Sequence, residues 1–142
     1  LMLYRLLFGA ALPDAAKPTL AILAAPASLA LAGYLQVCAE PAPALLAMLA
    51  PVAVCLTLSV WVVFLRLLRL PFSPGFSAFT FPMVIGAVAQ FKLAQHLAAR
   101  GGWTEEAAWI DILARVELAV ACAIVAYVCL RYCLFFGRLR TA

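Results

Sequence analysis

Charged residues are scarce in this sequence. Only 11 % of its 142 residues are Asp, Glu, Lys or Arg, whereas 68 % are hydrophobic. A soluble globular domain has about 25 % charged and about 45–50 % apolar residues. A chain of this size could not bury so much apolar surface in water, because small folded domains leave a large part of their surface exposed. The composition therefore excludes a soluble domain and predicts a protein surrounded largely by lipid.

The groups that carry out catalysis or bind metals are also sparse. The chain has one His and no Ser/His/Asp set, paired carboxylates or Gly-rich phosphate loop, so we predict no enzyme activity and no cofactor. The five cysteines show no C-x-x-C spacing. Cys129 and Cys133 are one helical turn apart but have no His or carboxylate close by, so we interpret the cysteines as small apolar packing residues. The net charge of +4 follows from membrane topology and does not indicate nucleic-acid binding.

Long gaps between charges predict four transmembrane helices, at about 18–38, 45–68, 76–98 and 112–136. Each is long enough to cross a bilayer, which takes about 20 apolar residues. Pro and Gly cluster in the short connectors, where helices break. We therefore predict an all-α membrane protein in which residues 1–142 form a single transmembrane domain of two antiparallel helical hairpins. The chain begins inside an apolar stretch, so we expect it to be the C-terminal part of a longer protein.

The basic residues predict the orientation. With the N-terminus in the cytoplasm, seven of the ten fall on the cytoplasmic side: Arg5, Lys17, Arg66, Arg69, Arg131, Arg138 and Arg140. The other three, Lys92, Arg100 and Arg115, fall outside. This distribution obeys the positive-inside rule, and it places Trp103 and Trp109 at the outer interface. We therefore predict a plasma (inner) membrane protein with both termini in the cytoplasm.

Prolines lie within three of the predicted spans. Pro26 is in the middle of the first and Pro82 about a third of the way into the third, so each is expected to bend its helix. In lipid such breaks need other helices or a water-filled cavity to satisfy the freed backbone groups. One interpretation makes these two helices kinked pore-lining elements. The other interpretation is that membrane helices simply tolerate proline, since Pro51 lies in the second span as well.

The third predicted span has a distinctive face. At 100° per residue, Ile85, Val88, Lys92 and Gln95 lie within about 40° of Phe81, and Lys92 lies about 16 Å further towards the outside. An anion path with a hydrophobic constriction and an electropositive vestibule has this order of side chains. The alternative is that Lys92 reaches to the membrane interface and that Phe81 packs against a neighbour.

Two segments resemble a known family. Residues 70–83 (LPFSPGFSAFTFPM) and 17–28 (KPTLAILAAPAS) are similar to signatures of the tellurite-resistance/dicarboxylate transporter family, which includes slow-type anion channels of plant guard cells and fungal malate and sulfite transporters. The resemblance covers roughly residues 5–140. Ser77 departs from it, because the family usually has an aromatic residue there. Lys92 and Gln95 match no signature of the family.

The resemblance implies a ten-helix protomer, built from five hairpins around a pore and assembled as a homotrimer, of which this chain would supply the last two hairpins. The odd-numbered helices of the family line the pore and are kinked by prolines, which favours a pore-lining role for Pro26 and Pro82. A phenylalanine of the ninth helix blocks the pore, and by its position this residue corresponds to Phe81.

These observations predict passive transport of small inorganic or carboxylate anions through a pore gated by Phe81. The anions would be chloride- or nitrate-like, or dicarboxylate or sulfite, and the expected partners besides them are membrane lipid and two further copies of the chain. A proton-coupled dicarboxylate or sulfite exporter is one alternative, for which Glu117 is the acid within a predicted span. A membrane scaffold subunit that does not transport is another.

Overall fold

The computed structural model describes residues 21, 22, 24–67, 72–101 and 104–140. These residues form four α-helices and a 3-10 helix that precedes the third of them: α1 Ala25–Val37, α2 Pro43–Leu67, the 3-10 helix Pro74–Phe79, α3 Thr80–Ala99 and α4 Thr104–Arg140. The described ranges contain no strand. The predicted all-α class is therefore confirmed.

Three helical segments are long and apolar enough to cross a membrane, namely Pro43–Arg66, Pro74–Ala99 and Glu105–Gly137. The first predicted span, 18–38, lies partly outside the described residues, and its α-helical part has 13 residues. At 1.5 Å per residue this part is about 20 Å long, which is less than the roughly 30 Å core of a bilayer. Within the described residues the fold is thus a membrane-embedded bundle of one α-helix of 13 residues and three longer helices.

The last helix extends furthest beyond its predicted span, which starts near residue 112, because it begins at Thr104, where Thr104 followed by Glu105 and Glu106 is typical of a helix start. Glu105 and Glu106 occupy its first turn, where negative charge interacts favourably with the helix dipole. Ala107 in the next turn is 5 % exposed, so the extension packs against the bundle. With 37 residues, α4 is about 55 Å long and extends beyond the apolar core of the membrane.

Helix α3 is the centre of the bundle and packs against α1, α2 and α4. It runs antiparallel to α4, since the Tyr132 hydroxyl donates a hydrogen bond to the Pro74 carbonyl at 2.5 Å. It runs parallel to α1, since their C-terminal ends are joined by Arg100 and Glu40, whose Nη2 and Oε2 atoms are 3.3 Å apart. Small residues permit this close packing, and the buried face of α3 consists of Pro82, Met83, Gly86, Ala87, Ala89, Gln90, Leu93 and Ala94.

An aromatic cluster holds the start of α3 in place. Phe76 and Phe79 are 1 % and 0 % exposed. The Phe79 ring meets the Phe64 ring of α2 edge-on, with centroids 5.0 Å apart, a favourable geometry for aromatic pairs. Ser77 contributes a hydrogen bond instead of a ring, because its hydroxyl donates to the Pro74 carbonyl at 3.0 Å. The 3-10 turn is thus closed by a side-chain hydrogen bond.

Candidate functional site

The face of α3 singled out by helical phase lies on the side that the other described helices leave largely uncovered. Phe81 is 54 % and Val88 37 % exposed, and Gln95 is also exposed. Ile85 and Lys92 are half-buried at the edges of this face. We call these five residues the open face of α3. The phase predicted from the sequence therefore brings them together along one side of the helix.

Phe81 differs sharply from its neighbour Phe79. The two residues are separated by Thr80, where the 3-10 helix gives way to α3. Phe79 is fully buried in the aromatic cluster, whereas more than half of the Phe81 surface is exposed. Two phenylalanines of one short motif thus have opposite environments, and Phe81 is the one available to a path along the open face.

The two predicted kinks differ from expectation in position. The α-helices begin at Ala25 and Thr80, so Pro26 and Pro82 both lie in a first helical turn. Residues 21, 22 and 24 before α1, like Pro74–Phe79 before α3, have 3-10 geometry. Proline is well accommodated in a first turn, because the N–H that it lacks would have no partner within the helix. Each proline therefore lies just after a change from 3-10 to α geometry, and its role as a pore-lining kink stays a prediction.

The two prolines also face different surroundings. Pro26 is exposed, whereas Pro82 is buried within the bundle. The Pro82 ring consequently does not belong to the open face of α3, although it lies next to Phe81 in the chain. Pro51 is the proline that lies inside a helix, α2, and it is exposed.

Lys92 carries a positive charge that no described carboxylate neutralises. Its ammonium group donates a hydrogen bond to Oε1 of Gln36 on α1, and the described ion pairs are Arg100 with Glu40 and Arg115 with Asp111. A neutral amide orients the lysine without cancelling its charge. The C-terminal half of the open face therefore keeps an unneutralised positive charge.

Sequence reasoning did not find a set of polar side chains on the opposite, buried side of α3. Thr57, Gln90 and Glu117 are 2 %, 1 % and 0 % exposed and belong to three different helices. Glu117 could be recognised in the sequence as an acid within a span, but its burial could not. Ser28 of α1 is buried as well, at 1 %.

Residues 1–133 match the family described as voltage-dependent anion channel. The chain belongs to this family. No curated protein and no solved structure matches the chain. The voltage-dependent anion channel family transports anions across membranes, and its members are channels and transporters rather than enzymes.

Membership of the voltage-dependent anion channel family, together with the three long apolar helices, identifies an integral membrane protein that handles anions. The match includes all of α1 to α3 and most of α4. The residues that match the family thus include both Lys92 on the open face of α3 and Glu117 of α4, which faces the buried side of α3.

Proposed function

We propose that this protein moves small anions passively across the plasma membrane and that Phe81 closes the path. The substrates are chloride- or nitrate-like anions, or dicarboxylate or sulfite. The open face of α3 is the observation that supports this proposal. It combines a large exposed ring at one end of the helix with an unneutralised cation, Lys92, towards the other.

The mechanism follows from these two side chains. Lys92 raises the local concentration of anions, and weak binding lets them leave again, as conduction requires. The Phe81 ring narrows an apolar section of the path, where an ion cannot keep its hydration shell. Rotation of this ring away from the path is the opening step. The anion then moves down its electrochemical gradient without a coupled reaction.

The orientation and the assembly are parts of the same proposal. We place the membrane end that contains Arg66 and Arg131 in the cytoplasm, with both termini, following the positive-inside rule. Lys92 and Arg100 then face the outer vestibule. The functional unit is a homotrimer, in which each protomer has its own path.

Replacement of Phe81 by alanine tests the gate. In the full-length protein reconstituted into liposomes, Phe81→Ala should raise anion flux about tenfold, equivalent to a barrier lowered by about 1.4 kcal/mol. Phe136→Ala is the matched control, because Phe136 is 56 % exposed but lies on α4. It should leave the flux at the wild-type level.

The same assay separates the rival functions. An unchanged flux in a normally inserted Phe81→Ala protein would remove the gate assignment. Wild-type uptake that requires a pH gradient would favour a proton-coupled exporter of dicarboxylate or sulfite. The absence of flux in both proteins would favour a membrane scaffold subunit.

A further inference from the structure

Three helices meet at a small polar junction on the buried side of α3. We define the polar junction as Thr57 of α2, Gly86 of α3 and Glu117 of α4. Glu117 is 0 % exposed, and neither of its carboxyl oxygens has a hydrogen-bond partner among the residues that the structure describes. The Thr57 hydroxyl donates to the Ala53 carbonyl of its own helix at 3.0 Å. The acid is therefore enclosed without the contacts that normally compensate a buried charge.

Gly86 leaves open a space on α3 that both side chains border. A Cβ atom at this position would lie 2.9 Å from Oγ1 of Thr57 and 3.4 Å from Oε2 of Glu117. The hydroxyl and the carboxyl group thus approach the same point on the surface of α3. Gln90, one helical turn further along α3, is 1 % exposed and its Nε2 atom also has no described partner. The site thus places polar side chains in buried positions that apolar side chains usually occupy.

No titratable side chain of the described residues hydrogen-bonds to the carboxyl group of Glu117. On α4, Arg115 bonds to Asp111 at 2.7 Å and its side chain is 71 % exposed. On α3, Lys92 bonds to Gln36 and, like His96, lies further along the helix. On α1 and α2 the titratable side chains are Tyr34, Cys55 and Arg66. Tyr34 is bonded to the Ala42 N–H, and Cys55 and Arg66 are exposed.

An ionised carboxylate in this enclosure would be costly. An unpaired charge removed from water loses several kcal/mol of hydration energy, and neither a cation nor a hydrogen-bond donor of the described residues replaces it. A neutral carboxylic acid loses far less. The packed arrangement of α2, α3 and α4 is therefore the arrangement of the protonated acid, whereas the ionised acid requires water or a displacement of α4 from Gly86.

We propose that Glu117 is a proton-binding site that controls anion flux. With the proton bound, the junction is dry and α3 stays packed with Phe81 in the blocking position. Loss of the proton draws water into the junction and loosens α3, the helix that carries Phe81, so that the path opens. This proposal rests on the proposed anion transport, to which it adds a regulatory ligand.

The first test measures flux as a function of pH in the full-length protein. Chloride flux into liposomes with equal pH inside and outside should rise about tenfold between about pH 5 and about pH 9, a typical size for coupling between two sites. Glu117→Gln, which is neutral at every pH, should remain at the low flux of the wild type at acid pH. Glu106→Gln is the matched control, because Glu106 is an exposed glutamate of the same helix. It should keep the wild-type pH dependence.

A double variant distinguishes a closed protein from an unfolded one. Glu117→Gln combined with Phe81→Ala should conduct at all pH values, because the blocking ring is absent. High flux in the double variant with low flux in Glu117→Gln supports the proton site. A pH-dependent flux in Glu117→Gln, or a wild-type flux that does not change with pH, would overturn it and leave anion transport intact.

Infrared difference spectroscopy gives a reading that does not depend on transport. The wild type should show the carbonyl band of a protonated carboxylic acid that disappears as the pH rises, and Glu117→Gln should lack this band. A protein with the band but without anion flux would refute the proposed function and retain the proton site. Flux without a pH-sensitive band would refute the proton site.

Discussion

Polar side chains lie on both sides of α3, but one side is exposed and the other is buried. The open face has the exposed Phe81 at one end and Lys92 and Gln95 at the other, and its cation is bonded to a neutral amide. The buried side has Gln90 and faces Glu117, whose carboxyl oxygens have no partner among the described side chains. The same helix thus separates an uncovered positive surface from an enclosed acid.

This difference indicates that one helix can connect two effects, one on how the bundle packs and one on what moves along the open face. A change on the buried side, where packing is tight, shifts the helix as a whole. A change on the open face alters what passes along it and leaves the packing almost untouched. Substitutions of the apolar and small residues buried against α3 should therefore change stability, and those on the open face should change flux.

The largest expected effect on stability comes from Phe79→Ala. Phe79 is fully buried against Phe64, so its truncation leaves a cavity and should lower the free energy of unfolding by about 3–5 kcal/mol. Phe81→Ala, two residues along, should lower it by less than about 1 kcal/mol. Unfolding titrations in mixed detergent micelles measure both. Equal losses for the two variants would show that the faces do not differ as described.

Gly86→Ala should have the next largest effect. The added methyl group would lie 2.9 Å from the Thr57 hydroxyl, and this overpacking should lower the free energy of unfolding by about 1–3 kcal/mol. Gly33→Ala is the control, because a Cβ atom there meets nothing within 4 Å. It should raise stability by up to about 1 kcal/mol, the difference in helix propensity between the two residues. A neutral Gly86→Ala would mean that the junction is looser than its distances indicate.

Much of the fold could be predicted from the sequence because lipid imposes simple rules. The long gaps between charged residues and the prolines of the connectors predict the helices, and the 100° spacing of residues within a helix predicts the open face of α3. The predicted span from about residue 112 covered only the apolar part of α4, whereas Thr104 with Glu105 and Glu106 indicates the helix start that the structure has. Pro26 and Pro82 could be recognised in the sequence, but the 3-10 segments that precede them could not.

The buried side of the site was less predictable. A glutamate within a span is visible in the sequence, but its partners depend on which residues of α2 and α3 face it. The contact between Thr57, Gly86 and Glu117 joins residues that are 29 to 60 positions apart, and no periodicity within one helix reports such a meeting. The open face of α3 could be predicted because the angular positions of its residues depend on this one helix alone.

A smaller effect is expected where the 3-10 helix is attached to α4. The Tyr132 hydroxyl donates to the Pro74 carbonyl, and Tyr132→Phe removes this bond while keeping the ring that contacts Phe72. The free energy of unfolding should fall by about 1 kcal/mol, a typical value for one hydrogen bond. Tyr127→Phe is the control, since the Tyr127 ring packs against Phe64 without a described hydroxyl bond. A loss of equal size in both variants would assign the effect to the rings.

Lys92→Gln should have almost no effect on stability and a modest one on flux. The variant removes the unneutralised charge of the open face but keeps a polar side chain of similar length beside Gln36. Anion flux in liposomes should fall about threefold at low ionic strength, and the difference should shrink in high salt, because ions screen an exposed charge.

Arg115→Gln separates a local effect of Lys92 from a general effect of surface charge. Both substitutions remove one positive charge, but the Arg115 charge is already paired with Asp111 and lies on α4, away from the open face. Arg115→Gln should therefore leave flux within about a factor of 1.5 of the wild type, since exposed ion pairs contribute little. If both variants reduce flux equally, the potential of the whole membrane surface attracts the anions and Lys92 has no special place in the path. A salt-sensitive loss of flux confined to Lys92→Gln would locate the attraction of anions on the open face of α3. The same face carries Phe81, so the attracted anions would be concentrated on the path that this ring closes.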